Sequence, residues 1–131
     1  MGRFVLEDLD VYNLSIEIAD EVWNIVIKWE FLAKDTVGKQ LIRSSDSIGA
    51  NIAEGYGRYF YKENRQFCFY SRGSILETKT WITKAKNRNL ITKEQYSNLF
   101  SKLEIVHIKL NGYMKFIGRK HNSNLTQATN S

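Results

Sequence analysis

The chain has 131 residues, a formal net charge of +5, a hydrophobic content of 43%, one cysteine and no proline. These values fit one globular domain with an ordinary core, and the single cysteine excludes an intrachain disulfide or a cysteine-based zinc site. No apolar run approaches the roughly 20 residues of a membrane span, and the early carboxylates Glu7 and Asp8 exclude a signal peptide, so we predict a cytoplasmic protein.

The first half of the chain carries two helical patterns. Apolar residues recurring every three or four positions predict a helix over about residues 9–31. Its carboxylates crowd the N-terminal half, which suits the positive end of the helix dipole. We expect residues 34–38 to form a short connection. A second helix is predicted over about residues 37–53, with the apolar stripe Val37, Leu41, Ile48 and Ile52 and with Gly55 and Gly57 near its end.

The second half of the chain carries two longer patterns. A third helix is predicted over residues 61–87, and a fourth begins after Thr92, which forms a capping box with Gln95. Short connections between such helices predict an all-α, antiparallel up-down four-helix bundle over residues 1–120. We expect the polar tail, residues 121–131, to be disordered. The inner face of the third helix is assigned to Phe67, Tyr70, Ser74, Thr78, Trp81 and Ala85.

The residue types of catalytic and metal sites do not occur at the required spacings. No His-Glu-x-x-His pattern is present, no pair of Glu-x-x-His motifs suggests a di-iron bundle, and the glycine-rich stretch 51–58 lacks the Lys-Ser/Thr of a phosphate-binding loop. Cys68 lies between two phenylalanines, which favours a buried hydrophobic role over a reactive thiol. We therefore predict no enzymatic activity, no catalytic residue, no metal and no cofactor.

Polar side chains share one face of the second helix. Two interpretations are open, a solvated face and a partly buried hydrogen-bond ladder to Ser71, Ser74 and Glu77 of the third helix. We favour the ladder over a ligand site, because unpaired polar groups are costly to bury and a paired ladder fixes the helix register. The face consists of Gln40, Arg43, Ser47, Asn51, Glu54 and Arg58.

Charge is distributed unevenly along the chain. Residues 1–38 contain three basic and eight acidic side chains, whereas residues 39–131 contain 16 basic and six acidic ones. This asymmetry suggests a polyanionic partner or an acidic segment that docks on a basic one. Basic residues recur at seven-residue intervals, and therefore near one helix face, at Arg65, Arg72, Lys79 and Lys86 and again at Lys102 and Lys109, followed by Lys115, Arg119 and Lys120.

Two motifs carry a family resemblance. Residues 40–58 (QLIRSSDSIGANIAEGYGR) and 71–77 (SRGSILE) resemble the paired motifs of the four-helix-bundle proteins encoded in intervening sequences of bacterial 23S rRNA genes. The resemblance covers about residues 8–118, with Ile42 where many members have a second arginine. It implies a ring-like homopentamer, and a relationship to accessory proteins of diversity-generating retroelements, which bind nucleic acid and a reverse transcriptase. It implies no catalytic residue, and conformational roles for Asn51, Glu54, Gly55, Ser74 and Glu77.

We therefore predict an oligomeric, non-enzymatic bundle that binds RNA or DNA through basic surface. The alternative is an assembly module in which the acidic first helix meets the basic third helix of the same or another subunit, without nucleic acid. The sequence does not distinguish RNA from DNA or identify a protein partner. The candidate nucleic-acid contacts are Arg58, Arg65, Arg72, Lys79, Lys86, Lys102 and Lys109.

Overall fold

The computed structural model describes the backbone of residues 5–130 and the side chains of residues 5–127. Over this range the chain is helical and contains no strand, which confirms the all-α prediction. A short 3-10 turn, Leu6–Asp8, precedes the first helix. The four main helices are α1 (Asp10–Val26), α2 (Lys39–Tyr56), α3 (Tyr61–Asn87) and α4 (Lys93–Asn130).

Consecutive helices run antiparallel, and α4 completes the bundle by packing on α1. Between neighbouring helices, residues later in one helix contact residues earlier in the other, as an up-down bundle requires. The end of α2, the start of α3 and the later turns of α4 therefore lie together, at what we call the Tyr61 end. The pairs that fix these directions are Gly38 with Val26, Gly49 with Ile16, Ser44 with Thr78, Ile48 with Ser71, Tyr96 with Lys86, His121 with Tyr61, Lys102 with Glu21 and Lys109 with Asp10.

The core contains buried apolar side chains from all four helices. The predicted stripe of α2 is buried as expected, and Leu99, Leu103, Val106 and Leu110 are buried along α4. Among residues 5–130, no helix has an apolar stretch long enough to cross a bilayer. The fully buried large side chains are Ile18, Val22, Val26, Leu41, Ile48, Ile52, Ile75, Ile82, Leu99, Leu103, Val106 and Leu110.

The connection between α1 and α2 lies earlier than predicted. Helix α1 ends at Val26 and the chain reverses over residues 27–30. A helical turn, Phe31–Ala33, and a π-helical stretch, Lys34–Gly38, then lead directly into α2. The prediction of a connection at residues 34–38 was wrong, because this segment is helical and its glycine allows close packing on α1 instead of ending a helix. A Cβ atom on Gly38 would lie 2.7 Å from Cγ1 of Val26.

The inner face of α3 shares only two residues with the predicted one, because four of its positions lie one residue later in the chain. Thr78 and Ala85 are buried as expected, but Tyr70 is exposed and Phe67, Ser74 and Trp81 are only half-buried. Small side chains at the interface with α2 place the large aromatic rings on the flanks of the contact. The buried face consists of Cys68, Ser71, Ile75, Thr78, Ile82 and Ala85.

Helix α4 begins as predicted. The Thr92 hydroxyl accepts a hydrogen bond from the Gln95 backbone N–H at 3.0 Å, and the Gln95 side-chain oxygen accepts one from the Thr92 N–H at 2.9 Å. This reciprocal pair confirms the capping box. In the structure α4 continues to Asn130, through most of the segment for which a disordered tail is predicted. Ser131 lies outside the described residues.

Candidate nucleic-acid interface

Hydroxyl groups bind α2 to α3 inside the bundle. The Ser71 hydroxyl donates to the backbone oxygen of Ile48 at 2.8 Å. The Thr78 hydroxyl lies 2.7 Å from the Ser74 backbone oxygen and 3.0 Å from the Ser44 hydroxyl. Among the described side chains no buried polar atom lacks a hydrogen-bond partner, so this cluster is structural and leaves no free ligand group.

The predicted polar ladder lies beside this buried cluster. Arg43 reaches across to Glu77, as expected for a contact with α3. Ser47 and Asn51 instead donate to backbone oxygens of α2 itself, at 2.7 and 2.9 Å. Glu54 forms an ion pair with Arg58, at 2.6 Å along the same side of the chain. The register between α2 and α3 therefore depends mainly on the buried hydroxyls, one row away from the predicted face.

The glycine of the first motif lies where α2 meets α3. A Cβ atom on Gly55 would lie 2.7 Å from Oδ1 of Asn64 and 2.9 Å from the Cβ of Phe67. Its φ is not positive, so the position requires glycine for close helix approach and not for an unusual backbone conformation.

The basic stripe of α3 is engaged with aromatic rings. Lys79 is also paired with Glu104 of α4, which lowers the pKa of that carboxyl, and its side chain is only 16% exposed. Lys79 is therefore poorly placed to contact a phosphate. Arg65 lies 5.5 Å from the ring of Tyr61, Arg72 4.9 Å from Phe69, Lys79 5.1 Å from Phe100 and Lys86 4.1 Å from Tyr96.

The basic residues in the middle of α4 pair with acidic α1 of the same chain. Lys102 lies 2.8 Å from Glu21 and 3.2 Å from Glu17, and its hydrogen bond to Glu21 raises its pKa. Lys109 lies 3.7 Å from Asp10. The acidic segment thus docks on α4 and not on the α3 stripe, and these two lysines have intramolecular counterions.

Basic residues without such counterions gather at the Tyr61 end. Residues 55–66 and 113–127 contain six lysines and arginines and a single carboxylate, Glu63. Arg58 pairs with Glu54 and lies 3.7 Å from Glu63. Within the part of the chain that the structure describes, five others have no carboxylate within 4.0 Å; they are Lys62, Arg65, Lys115, Arg119 and Lys120.

Exposed aromatic rings accompany these cations. Tyr59 and Phe60, in the loop between α2 and α3, are 93% and 63% exposed. Beside them Tyr61 stacks on His121, with ring centroids 4.5 Å apart and planes 12° apart. A pocket of about 230 Å³ lies between this loop and α4, and Lys120 is among its lining residues.

Apart from Arg58, this loop was not predicted from the sequence. The available signal was the run Arg58-Tyr59-Phe60-Tyr61-Lys62, in which aromatic residues lie between basic ones. Of the predicted nucleic-acid contacts, the structure places Arg58 and Arg65 here and leaves Arg72 and Lys86 further along α3. The other predicted contacts are paired with carboxylates of the same chain. Lys79 is paired with Glu104, and Lys102 and Lys109 are paired with α1.

The single cysteine lies buried in the core. Burial raises the pKa of the Cys68 thiol to about 11, and the side chain is fully enclosed, as predicted for a small hydrophobic residue. Among residues 5–130, no group of three or more histidine, cysteine, aspartate or glutamate side chains is placed to hold a metal ion.

Comparison with known proteins gives a family assignment. The family model described as 23S rRNA-intervening sequence protein matches residues 7–112. A solved structure of a protein with unknown function, from the S23 ribosomal protein family of Bacteroides thetaiotaomicron, is 26% identical in sequence. The superposition covers 80% of this chain and 98% of that one, with a TM-score of 0.72. No curated protein has significant similarity.

Proposed function

This chain belongs to the 23S rRNA-intervening sequence protein family, and we propose that it binds nucleic acid at the Tyr61 end of its bundle, in a role without catalysis. One observation carries this proposal: five basic side chains without carboxylate partners lie beside exposed aromatic rings. Nucleic acids present both complements, phosphates for the cations and base faces for the rings.

The pairing pattern explains why this end is favoured over Lys79 of the α3 stripe and over the middle of α4. A phosphate that contacts Lys79, Lys102 or Lys109 has to displace a carboxylate of the same chain. A phosphate at Lys62, Arg65 or Lys120 displaces only water and counterions, whose release favours binding. The acidic residues Glu7 and Asp8 shortly precede α1, and α1 packs chiefly on α2 and α4. These two carboxylates therefore do not cover the α3 side of the Tyr61 end.

Two triple variants test the location. Replacing Arg65, Arg119 and Lys120 by glutamine should weaken binding to both RNA and DNA by about tenfold or more at low salt, since three phosphate contacts are lost. The matched control replaces Lys34, Lys84 and Lys93 by glutamine, which removes the same charge at the opposite end. Equal losses in the two variants would contradict a localised site, and wild-type protein that binds neither RNA nor DNA would contradict the function.

Self-association is a second candidate property, supported by a different surface. Phe31 and Leu32, in the turn that precedes α2, are 77% and 75% exposed, and Trp23 and Ile27 nearby are exposed as well. Apolar side chains grouped in this way typically mark a protein interface. We propose that a second copy covers them in a homo-oligomer, and the family resemblance favours five subunits.

Light scattering tests the assembly. The double variant Phe31→Ser/Leu32→Ser should shift the particle toward monomer, because burial of these side chains no longer contributes to association. The control Ile108→Ser alters a similarly exposed apolar residue on the outer face of α4. A wild-type protein that is monomeric at micromolar concentration and moderate salt contradicts this proposal but not the nucleic-acid site.

A further inference from the structure

Resting on the proposed function, we infer that the Tyr61 end selects single-stranded nucleic acid, by stacking unpaired bases on the rings of Tyr59 and Phe60. The two side chains follow each other in the loop and are the most exposed tyrosine and phenylalanine beside the unpaired cations. Neither ring is covered by another helix, although exposed rings of this size have much apolar surface to bury.

The geometry of the two rings suits bases that lie apart from one another. Their centroids are 5.0 Å apart and their planes are inclined by 85°, so one ring meets the other edge-on. Two perpendicular ring faces cannot both stack against consecutive, parallel base pairs of a duplex. A flexible single strand can turn successive bases to meet each face in turn.

The loop that presents the rings is held at both of its ends. The Arg58 N–H donates to the backbone oxygen of Gly55 at 3.0 Å, and the Asn64 N–H donates to that of Phe60 at 3.1 Å. Arg58 also lies 4.9 Å from the ring of Phe67 on α3. The rings are therefore presented by an anchored backbone, which reduces the ordering cost of binding.

The wall beside the loop supplies the contacts for the strand backbone. Tyr61 and His121 form a stacked pair, and Arg65 lies 5.5 Å from the centre of the Tyr61 ring. Lys120 lines the pocket next to the loop. Basic side chains beside aromatic rings are the arrangement by which sequence-tolerant single-strand binders follow a phosphate backbone.

Fluorescence anisotropy with three labelled probes tests the inference on the full chain. The probes are oligouridylate and oligothymidylate of about 20 nucleotides, longer than the roughly 4–16 nucleotides of common single-strand sites, and a duplex of the same length. Wild-type protein should bind both single strands more tightly than the duplex. Tyr59→Ala/Phe60→Ala should weaken single-strand binding by about 5- to 100-fold and change duplex binding by less than about twofold.

Two further variants separate stacking from other effects. Tyr59→Leu/Phe60→Leu keeps apolar side chains but removes the rings, so it should lose single-strand affinity as the alanine pair does. Ile108→Ala removes an exposed apolar side chain elsewhere and should bind as the wild type does. Since all of these positions are exposed, circular dichroism should show unchanged helix content.

The possible failures are distinguishable. The inference is overturned if the wild type binds single strands and duplex equally, or if the alanine pair binds single strands as the wild type does. In either case the proposed function still stands if the Arg65/Arg119/Lys120 variant loses affinity. Retained affinity in the leucine pair overturns stacking. Absence of binding to every probe overturns the inference together with the proposed function.

Discussion

Gly55 of α2 lies directly against Phe67 of α3: a Cβ atom on Gly55 would lie 2.9 Å from the Cβ of Phe67 and 3.0 Å from the backbone oxygen of Asn64. Because a backbone oxygen cannot move without moving its helix, Gly55→Ala should lower the free energy of unfolding by on the order of 1–2 kcal/mol, despite the better helix propensity of alanine. Urea denaturation measures this change.

Gly73 of α3 provides the matched control. It lies within a helix like Gly55, but a Cβ atom there would meet no atom within 4 Å. Gly73→Ala should therefore raise the free energy of unfolding by about 0.5–1 kcal/mol through helix propensity alone. If both substitutions change stability in the same direction, close packing of α2 on α3 is not the reason that position 55 requires glycine.

The buried hydroxyl of Thr78 gives a second prediction. It bonds to Ser44 across the interface between α2 and α3, at 3.0 Å. Thr78→Val keeps the shape of the side chain and removes the bond, so we expect a loss of about 0.5–1.5 kcal/mol in a thermal or urea titration. Thr80→Val removes an exposed hydroxyl bonded to its own helix and should stay within about 0.5 kcal/mol of wild type. Equal effects would show that the cross-helix bond contributes nothing.

A third prediction concerns the lysine between α1 and α4. Lys102→Gln should lower stability by at most about 1 kcal/mol, because the ion pairs with Glu17 and Glu21 are partly exposed. Since the folded state raises the pKa of Lys102 above 10.5, its stabilising contribution is present below that pH and is lost as the pH rises through the raised pKa. Thermal unfolding at neutral and strongly alkaline pH measures both effects.

Lys115 is the control for that substitution. It lies on the same helix but has no carboxylate within 4.0 Å among the described residues, so Lys115→Gln should leave stability nearly unchanged. Conversely, Lys102→Gln should hardly alter nucleic-acid affinity. A large loss of affinity with unchanged stability would assign Lys102 to the nucleic-acid surface, as the sequence alone suggested.

The sequence predicted the bundle well where apolar periodicity is strong, as along α2 and α4. It misplaced the inner face of α3, because that face contains Cys68 and Ser71, whose weak hydrophobicity is outweighed in the pattern by neighbouring aromatic residues. It also placed the first connection at residues 34–38, since a glycine that permits close packing, as Gly38 does, resembles in sequence one that ends a helix.

The candidate site was only partly predictable for a related reason. The seven-residue spacing of the α3 cations indicates one helix face, but spacing does not reveal which cations meet Glu104 or an aromatic ring of α4. Nor does it show that the loop around Tyr59 lies beside Lys120, about 60 residues later in the chain. Pairing between distant segments decides which charges stay available, and only the three-dimensional arrangement shows it.

The salt dependence of single-strand affinity tests the central proposal most directly. Each phosphate contact contributes about −0.7 to the slope of log K against log salt, so five unpaired cations predict a slope of about −3.5 per bound subunit. Replacing Arg65, Arg119 and Lys120 by glutamine should make the slope less steep by about 2, whereas the Lys34/Lys84/Lys93 variant should keep it. A slope that is flat in the wild type, or equal in the two variants, would contradict a nucleic-acid site at the Tyr61 end.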